Sequence, residues 1–374
     1  MRAITRAWMD WVRTLYPGYF ACVMATGIVS VALLLAHVTA LSVALWILAG
    51  ALLAYLALAY LVRAARYPRE LRRDALDPAT AFGYFTFIAA AGVTATRCAL
   101  GGWTLVPALL TAVAGVAWFG LIYWTFAMLL FTNEQPIERA LNGSWLIAIV
   151  ATESLAITWV LLIPILPAAS APLQLLAYAF WTLGVLLYII VITLIMYRFF
   201  FTRLRHGDLT PPYWINMGAM AITTVAGVRM LDVARPTALL VALRPFIAGL
   251  TVMMWAWGTW WIPLLLVIGC WKYLVVREPI RYQPTLWSVV FPLGMYATAL
   301  QLLTHIPGLA FLAGVGMVSA WLALAAWALV MAGWLWSAVR AVRGALRGPA
   351  APRAAMPPPA RVDAPTDGQA APTP

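Results

Sequence analysis

Residues 16–36 read YPGYFACVMATGIVSVALLLA. From Gly18 onward the run carries no charge, and its length is close to the about 20 apolar residues needed to cross a hydrocarbon core. An aromatic residue opens it at Tyr19, and small residues follow at Ala21, Cys22, Ala25, Thr26 and Gly27. The same opening recurs as YFTFIAAAG from Tyr84, WLIAIVATE from Trp145, WINMGAMAI from Trp214 and WSVVFPLGM from Trp287. The leading aromatics stand 65, 61, 69 and 73 residues apart. Between them lie runs of another kind, such as residues 41–62, which are uniformly Leu- and Ala-rich. One period is therefore one helical hairpin, repeated five times, the sort of weak internal symmetry on which transporter folds are built. Uniformly apolar helices can face lipid, whereas helices of small residues can approach one another closely or border a cavity. The pattern predicts an all-α polytopic membrane protein with odd-numbered helices inside, around a pore, and even-numbered helices outside. Tight packing alone would also use small residues; a shared axis is what adds the pore.

Outward from this unit, ten segments qualify as spans: 18–36, 40–62, 79–98, 103–131, 144–166, 171–200, 211–230, 242–275, 285–304 and 308–339. Helix breakers such as Pro68, Pro78, Pro136, Pro167, Pro211, Pro284 and Pro307 fall between them. Several even-numbered spans exceed the minimum length, which predicts tilt. Strand-type alternation suited to a barrel is not evident. The composition agrees: of 374 residues, 64% are hydrophobic and 10% charged. Soluble domains are about half apolar and about a quarter charged, so a soluble enzyme, a disordered chain and a nucleic-acid binder are set aside. The net charge of +12 comes from basic residues in the gaps between apolar runs. With both termini placed in the cytoplasm, twenty Arg and Lys fall inside and four (Arg97, Arg229, Arg235 and Arg244) outside. That asymmetry is the positive-inside signature of a multi-pass protein of the cell membrane, and it favours an even number of spans.

Residues 1–343 read as one membrane domain. Residues 4–15 fit a short interfacial helix with Ile4, Trp8, Trp11 and Leu15 on one side. Residues 344–374 hold eight prolines and many alanines without apolar periodicity, and are expected to form a disordered cytoplasmic tail. Cys22, Cys98 and Cys270 read as small packing residues.

The chain resembles the tellurite-resistance/C4-dicarboxylate transporter family, which includes bacterial TehA-type proteins, fungal malate permease and sulfite exporters, and plant slow anion channels. The resemblance rests on residues 16–30, the Arg- and Pro-bearing loop 66–78, the stretch PPYWINMGAMAI from Pro211 and WSVVFPLGMY from Trp287. It covers roughly residues 15–340, and the order of these stretches carries more weight than any one of them. It implies five inner helices around a pore, five outer ones, a homotrimer with one pore per subunit, and small anionic substrates such as malate. It also implies that a phenylalanine of the ninth helix closes the pore; the matching residue is Phe291, before Pro292. Inner helices of the family are often proline-kinked, yet here only the ninth carries an interior proline.

Phe291 is the sharpest candidate for function. A ring across a narrow pore excludes water and blocks ions, and Pro292 removes a backbone hydrogen bond and bends the helix where the ring must be aimed. Glu153 is the one acid deep inside a span, at the repeat position that holds Gly27 and Gly92 in the first and third spans. An intramembrane carboxylate is costly and usually functional, so it is a candidate for pore or proton-coupling work; holding helices together is the competing role. Arg97 and Arg229 end the third and seventh spans on the outer side and are candidates for a positive mouth. Snorkelling, or pairing of Arg229 with Asp232, would account for them equally. Lys272, Arg277 and Arg281 read as topology signals. His37, His206 and His305 fall on different loops, so no histidine-rich metal site is expected. A phosphate-binding glycine loop and a nucleophile motif are not evident either. The expectation is a cofactor-free channel or secondary transporter of dicarboxylates or related anions. Efflux of a toxic oxyanion is the alternative on the same scaffold, and a membrane-embedded enzyme or receptor the alternative of another class.

Overall fold

The computed structural model describes residues 2–347, and among them the chain is helical without strands. An amphipathic helix α1 (Arg2–Arg13) precedes the apolar helices. It lies against the second of these, with Trp8 Nε1 donating to Tyr55 Oη at 2.9 Å and Val12 and Leu15 buried. The apolar series follows: α2 (Ala21–Leu35), α3 (Thr39–Arg66), then a short loop helix α4 (Pro68–Ala75), α5 (Phe85–Leu100) and α6 (Leu105–Phe131). After one turn of helix, α7 (Ile137–Ala140), come α8 (Ile147–Leu162), α9 (Ser170–Phe201), α10 (Ile215–Leu231) and α11 (Ala238–Cys270). The series ends with α12 (Trp287–Leu303) and α13 (Leu312–Arg347). Helix α13 runs past residue 344, where the tail was expected to begin; residues 348–374 lie outside the described residues.

Among the described residues, eight helices are long and apolar enough to cross a membrane. They fall into two kinds. The windows in residues 17–35, 143–162 and 284–303 are 72–89% buried, whereas those in α3, α6, α9, α11 and α13 are 22–44% buried. Helices α5 and α10 are not among the eight, because Arg97, Asn216, Arg229 and a run of Thr and Gly dilute their apolar character. Their burial nevertheless matches that of α2, α8 and α12. Packing explains why: α2 lies against α5, α5 against α8, α8 against α10, α10 against α12, and α12 returns to α2. Each of the five also packs on the long helix that follows it, α3, α6, α9, α11 and α13 respectively.

The recurring aromatic openings have a common local structure. Each buried helix is entered through a 3-10 turn: Pro17–Phe20, Ala81–Tyr84, Gly143–Leu146, Pro211–Trp214 and Pro284–Leu286. These turns also touch in a closed sequence, first to second and round to the fifth, which meets the first. Glycine is what lets the backbones meet. A Cβ on Gly83 would stand 2.8 Å from Gly18 N, and one on Gly143 would stand 2.5 Å from Pro212 C and Tyr213 N.

Lipid offers no hydrophobic drive between helices, so close packing and interhelical hydrogen bonds must hold them. Tryptophans of the outer helices supply many of the bonds. Trp118 Nε1 of α6 donates to Thr152 Oγ1 of α8 at 2.8 Å, and Trp327 Nε1 of α13 donates to Thr26 Oγ1 of α2 at 2.9 Å. Thr26 and Thr152 both stand seven residues after the leading aromatic, so the two bonds occupy one repeat position. Trp181 Nε1 of α9 reaches the Thr223 carbonyl of α10 at 2.9 Å.

Several basic residues read as topology signals are buried pins. Arg63 Nη2 meets Asp74 Oδ2 at 2.6 Å. Arg198 Nη1 donates to the Leu141 carbonyl and to Tyr213 Oη, both at 2.7 Å. Lys272 Nζ donates to the Leu209 carbonyl at 2.8 Å. Cys22 and Cys98 are packed inside, but Cys270 is exposed at the end of α11.

Candidate functional site

The five buried helices enclose a narrow cavity of about 20 Å³, room for about one water molecule. Every one of them contributes to its wall: Ile28 and Val31 from α2, Gly92 and Thr96 from α5, Ser154 and Ile157 from α8, Ile222, Val225 and Arg229 from α10, and Met295 and Thr298 from α12. The spacing of three or four on each helix is that of a single face. Aliphatic side chains dominate, with a few hydroxyls and one guanidinium at the C-terminal end of α10.

Phe291 stands one turn before Met295, on the same face of α12, and is fully buried. Pro292 sits inside α12, and the space over Gly218 of α10 is filled by its ring: a Cβ there would meet Pro292 Cγ at 2.8 Å. The proline thus seats against α10 while the phenylalanine continues the line of Met295 and Thr298.

The repeat position shared by Gly27, Gly92 and Glu153 does not share one environment. Gly92 lines the cavity and packs on Ser154 of α8, whereas Gly27 faces Val93 of α5. Glu153 is fully buried and is not among the cavity-lining residues. Its carboxyl lies between α8, α9 and α10, against the open face of Gly184 and 3.0 Å from Thr223 Oγ1. That hydroxyl is also 2.9 Å from the Ala219 carbonyl. A hydroxyl carries one proton and cannot donate to both acceptors. Both contacts are satisfied together when Glu153 holds its own proton and gives it to Thr223, which gives its own to Ala219. Oε2 has no hydrogen-bond partner among the described residues.

Arg97 and Arg229 do not meet. Arg97 turns away from the cavity toward α2 and α3, with Nε donating to Ser30 Oγ at 3.1 Å and Nη2 to Ser42 Oγ at 3.2 Å. Its guanidinium lies 4.8 Å from the centre of the Trp46 ring. Arg229 lines the cavity, and Asp232 is held by His305 Nδ1 at 2.9 Å. No group of three or more His, Cys, Asp or Glu side chains suited to a metal is found among the described residues.

The cavity-lining hydroxyls Thr96, Ser154 and Thr298, and Thr223 beside Glu153, were not singled out from the sequence. Ser and Thr residues fall at Thr86, Thr94 and Thr96 in α5 and at Ser288 and Thr298 in α12, so helical spacing does not single out the first three. For Thr223 there is no sequence signal either, since its partner is 70 residues away.

Comparison with known proteins finds membrane proteins and transporters. An uncharacterised membrane protein of Mycobacterium tuberculosis is 43% identical over 146 residues, covering 38% of this chain and 72% of that protein. An uncharacterised transporter of Methanocaldococcus jannaschii is 22% identical over 341 residues, covering 86% of this chain and 93% of its own length. A second uncharacterised transporter of that organism is 24% identical over 225 residues, 57% of this chain and 64% of the relative. The model of the voltage-dependent anion channel family matches residues 14–335, nearly the whole membrane region, and the chain belongs to that family of channels and transporters.

Proposed function

We propose that this protein moves small anions across the cell membrane through a conduit on the axis of α2, α5, α8, α10 and α12, closed by the ring of Phe291. The observation that carries this reading is the cavity to which all five helices contribute, with Phe291 one turn along the same face. In this reading ten helices cross the bilayer as five hairpins. Helices α5 and α10 tolerate Arg97, Asn216 and Arg229 because neighbouring helices, not lipid, surround them. Both termini lie in the cytoplasm, consistent with the charge asymmetry. The substrate class is organic dicarboxylates such as malate, or related anions, and the assembly is a homotrimer, as the family resemblance implies. Glu153 couples a proton to the movement from outside the conduit, through the contact of α8 with α10, rather than by touching the anion.

Flux into proteoliposomes with malate, succinate, chloride, nitrate and sulfite, each with and without a pH gradient, tests the reading. Saturable malate or succinate uptake, faster with an inward proton gradient, is the expected result. Passage of small inorganic anions alone would replace the dicarboxylate reading with that of an inorganic anion channel. Outward movement of sulfite alone would make the protein an oxyanion exporter. Absence of any anion flux from folded protein would remove the transport reading itself.

A further inference from the structure

A larger space opens beside the axial cavity, at the C-terminal ends of α8 and α10. Its volume is about 460 Å³, within the roughly 300–1,000 Å³ of small-molecule sites. One wall is apolar, formed by Val160, Ile163, Pro164 and Pro167. Arg229, Asp232 and Arg235 supply the charged part of the lining. Arg229 is the residue this space shares with the axial cavity, so its guanidinium stands where the two meet.

The contacts around it leave that guanidinium available. Asp232, the nearby carboxylate, is engaged by His305 across the end of α12 at 2.9 Å. Arg229 Nε is buried without a hydrogen-bond partner, and no ion pair to Arg229 is found among the described residues. The loop that carries Arg235 is pinned to α9: Gln174 Nε2 donates to the Arg235 carbonyl at 3.0 Å, and Thr237 N donates to Gln174 Oε1 at 2.8 Å. The vestibule is therefore a built feature, not a gap between loose loops.

We infer that this vestibule binds small organic carboxylates, with the carboxylate on Arg229 and the carbon skeleton against the proline and aliphatic wall. A guanidinium offers a planar fork that fits a carboxylate with two parallel hydrogen bonds. The apolar wall rewards a carbon chain and gives nothing to a hydrated inorganic ion. The inference rests on the transport reading for its purpose, delivery of the anion to the conduit, but binding can be measured without transport.

The test is calorimetric titration of the full chain in nanodiscs of zwitterionic lipid with succinate, chloride and inorganic phosphate. Saturable succinate binding is expected, with chloride and phosphate weaker. Arg229→Gln should weaken it by about tenfold or more, the worth of a charged hydrogen-bonded partner. Arg229→Lys should fall between, since an ammonium keeps the charge but loses the fork. Asp232→Asn should tighten binding by removing the competing carboxylate. Wild-type affinity in Arg229→Gln, or chloride and phosphate binding as well as succinate, overturns the assignment. Loss of succinate binding on changing to anionic lipid also overturns it, assigning the space to a headgroup. Succinate flux without Arg229-dependent binding sinks the vestibule and leaves transport standing; Arg229-dependent binding without flux does the reverse.

Discussion

Replacing Phe291 with alanine removes six ring carbons from a fully buried position one turn from the axial cavity. At interior packing density those carbons occupy roughly 100 Å³, space for about three waters at about 30 Å³ each. The existing cavity has room for about one, so the deletion would widen the proposed conduit several-fold at this level. In the proposed gate, an anion passes only when the side chain leaves its rotamer and forfeits its packing. The torsional part of that displacement costs about 0.5–1.5 kcal/mol, and lost dispersion contacts add a similar amount. A barrier of about 1–3 kcal/mol corresponds to a factor of roughly 5–150 in rate. Phe291→Ala should therefore raise anion flux by about that factor in stopped-flow measurements on proteoliposomes. Phe291→Leu, which keeps a side chain in the gap and loses less packing, should give a smaller rise. Large-to-small changes in soluble cores cost about 3–5 kcal/mol, so each variant must first elute as the wild-type species and unfold cooperatively. A well-folded Phe291→Ala with wild-type flux would refute the occluding role of the ring, and a fall in flux would show that the ring supports the path rather than closing it.

Three further outcomes follow from the packing. Glu153→Gln keeps the shape of a neutral carboxyl, so the protein should fold with nearly unchanged thermal stability and lose the pH dependence of uptake; an intact pH profile would exclude coupling at this residue. Gly143→Ala drives a Cβ to 2.5 Å from the backbone of Pro212 and Tyr213, and should destabilise the protein by about 1–3 kcal/mol as overpacking does, read as a lower midpoint in detergent unfolding. Arg97→Gln removes a guanidinium held by Ser30, Ser42 and Trp46; it should lower stability while leaving anion selectivity, measured as reversal potential, unchanged, whereas a shifted reversal potential would return Arg97 to the conduit.

The order of helices was legible because a bilayer imposes one dominant rule on sequence, a long apolar run bounded by breakers. Expected spans such as 103–131 and 211–230 differ from α6 and from the Pro211–Leu231 unit by no more than two residues at either end. The distinction between small-residue and uniform helices was legible for the same reason, since burial among helices and exposure to lipid select different side chains. Which face of a buried helix meets the axis was not. Gly27, Gly92 and Glu153 occupy one repeat position yet face Val93, the cavity with Ser154, and Gly184 with Thr223 respectively. Rotation of a helix by one residue, about 100°, separates these environments, and a repeat that is only approximate in sequence cannot fix it. Charge was legible only in part. Arg63 and Arg198 fit the topology rule, but their guanidiniums are sealed inside by Asp74, Tyr213 and the Leu141 carbonyl. The loop helix α4, short and highly charged, had no apolar signal at all.

Helices α5 and α10 illustrate how an assembly changes what a segment can be. They are the least apolar of the long helices, with Arg97 and Arg229 in their last turns, and are not among the eight apolar enough to cross a membrane. An isolated helix of this kind would pay for each exposed polar group in hydrocarbon. Within the protein the cost does not arise: α5 is flanked by α2 and α8 and backed by α6, and α10 by α8 and α12 and backed by α11. The same enclosure is what permits a wall of Thr96, Ser154, Thr298 and Arg229 at all, because hydroxyls and a guanidinium facing lipid would be selected against. The few polar groups of a mostly aliphatic wall thus face the interior, and the long apolar helices α3, α6, α9, α11 and α13 keep them from lipid. An interior cavity with hydroxyls in its wall and a pair of buried helices of reduced apolarity are, in this fold, two consequences of one arrangement.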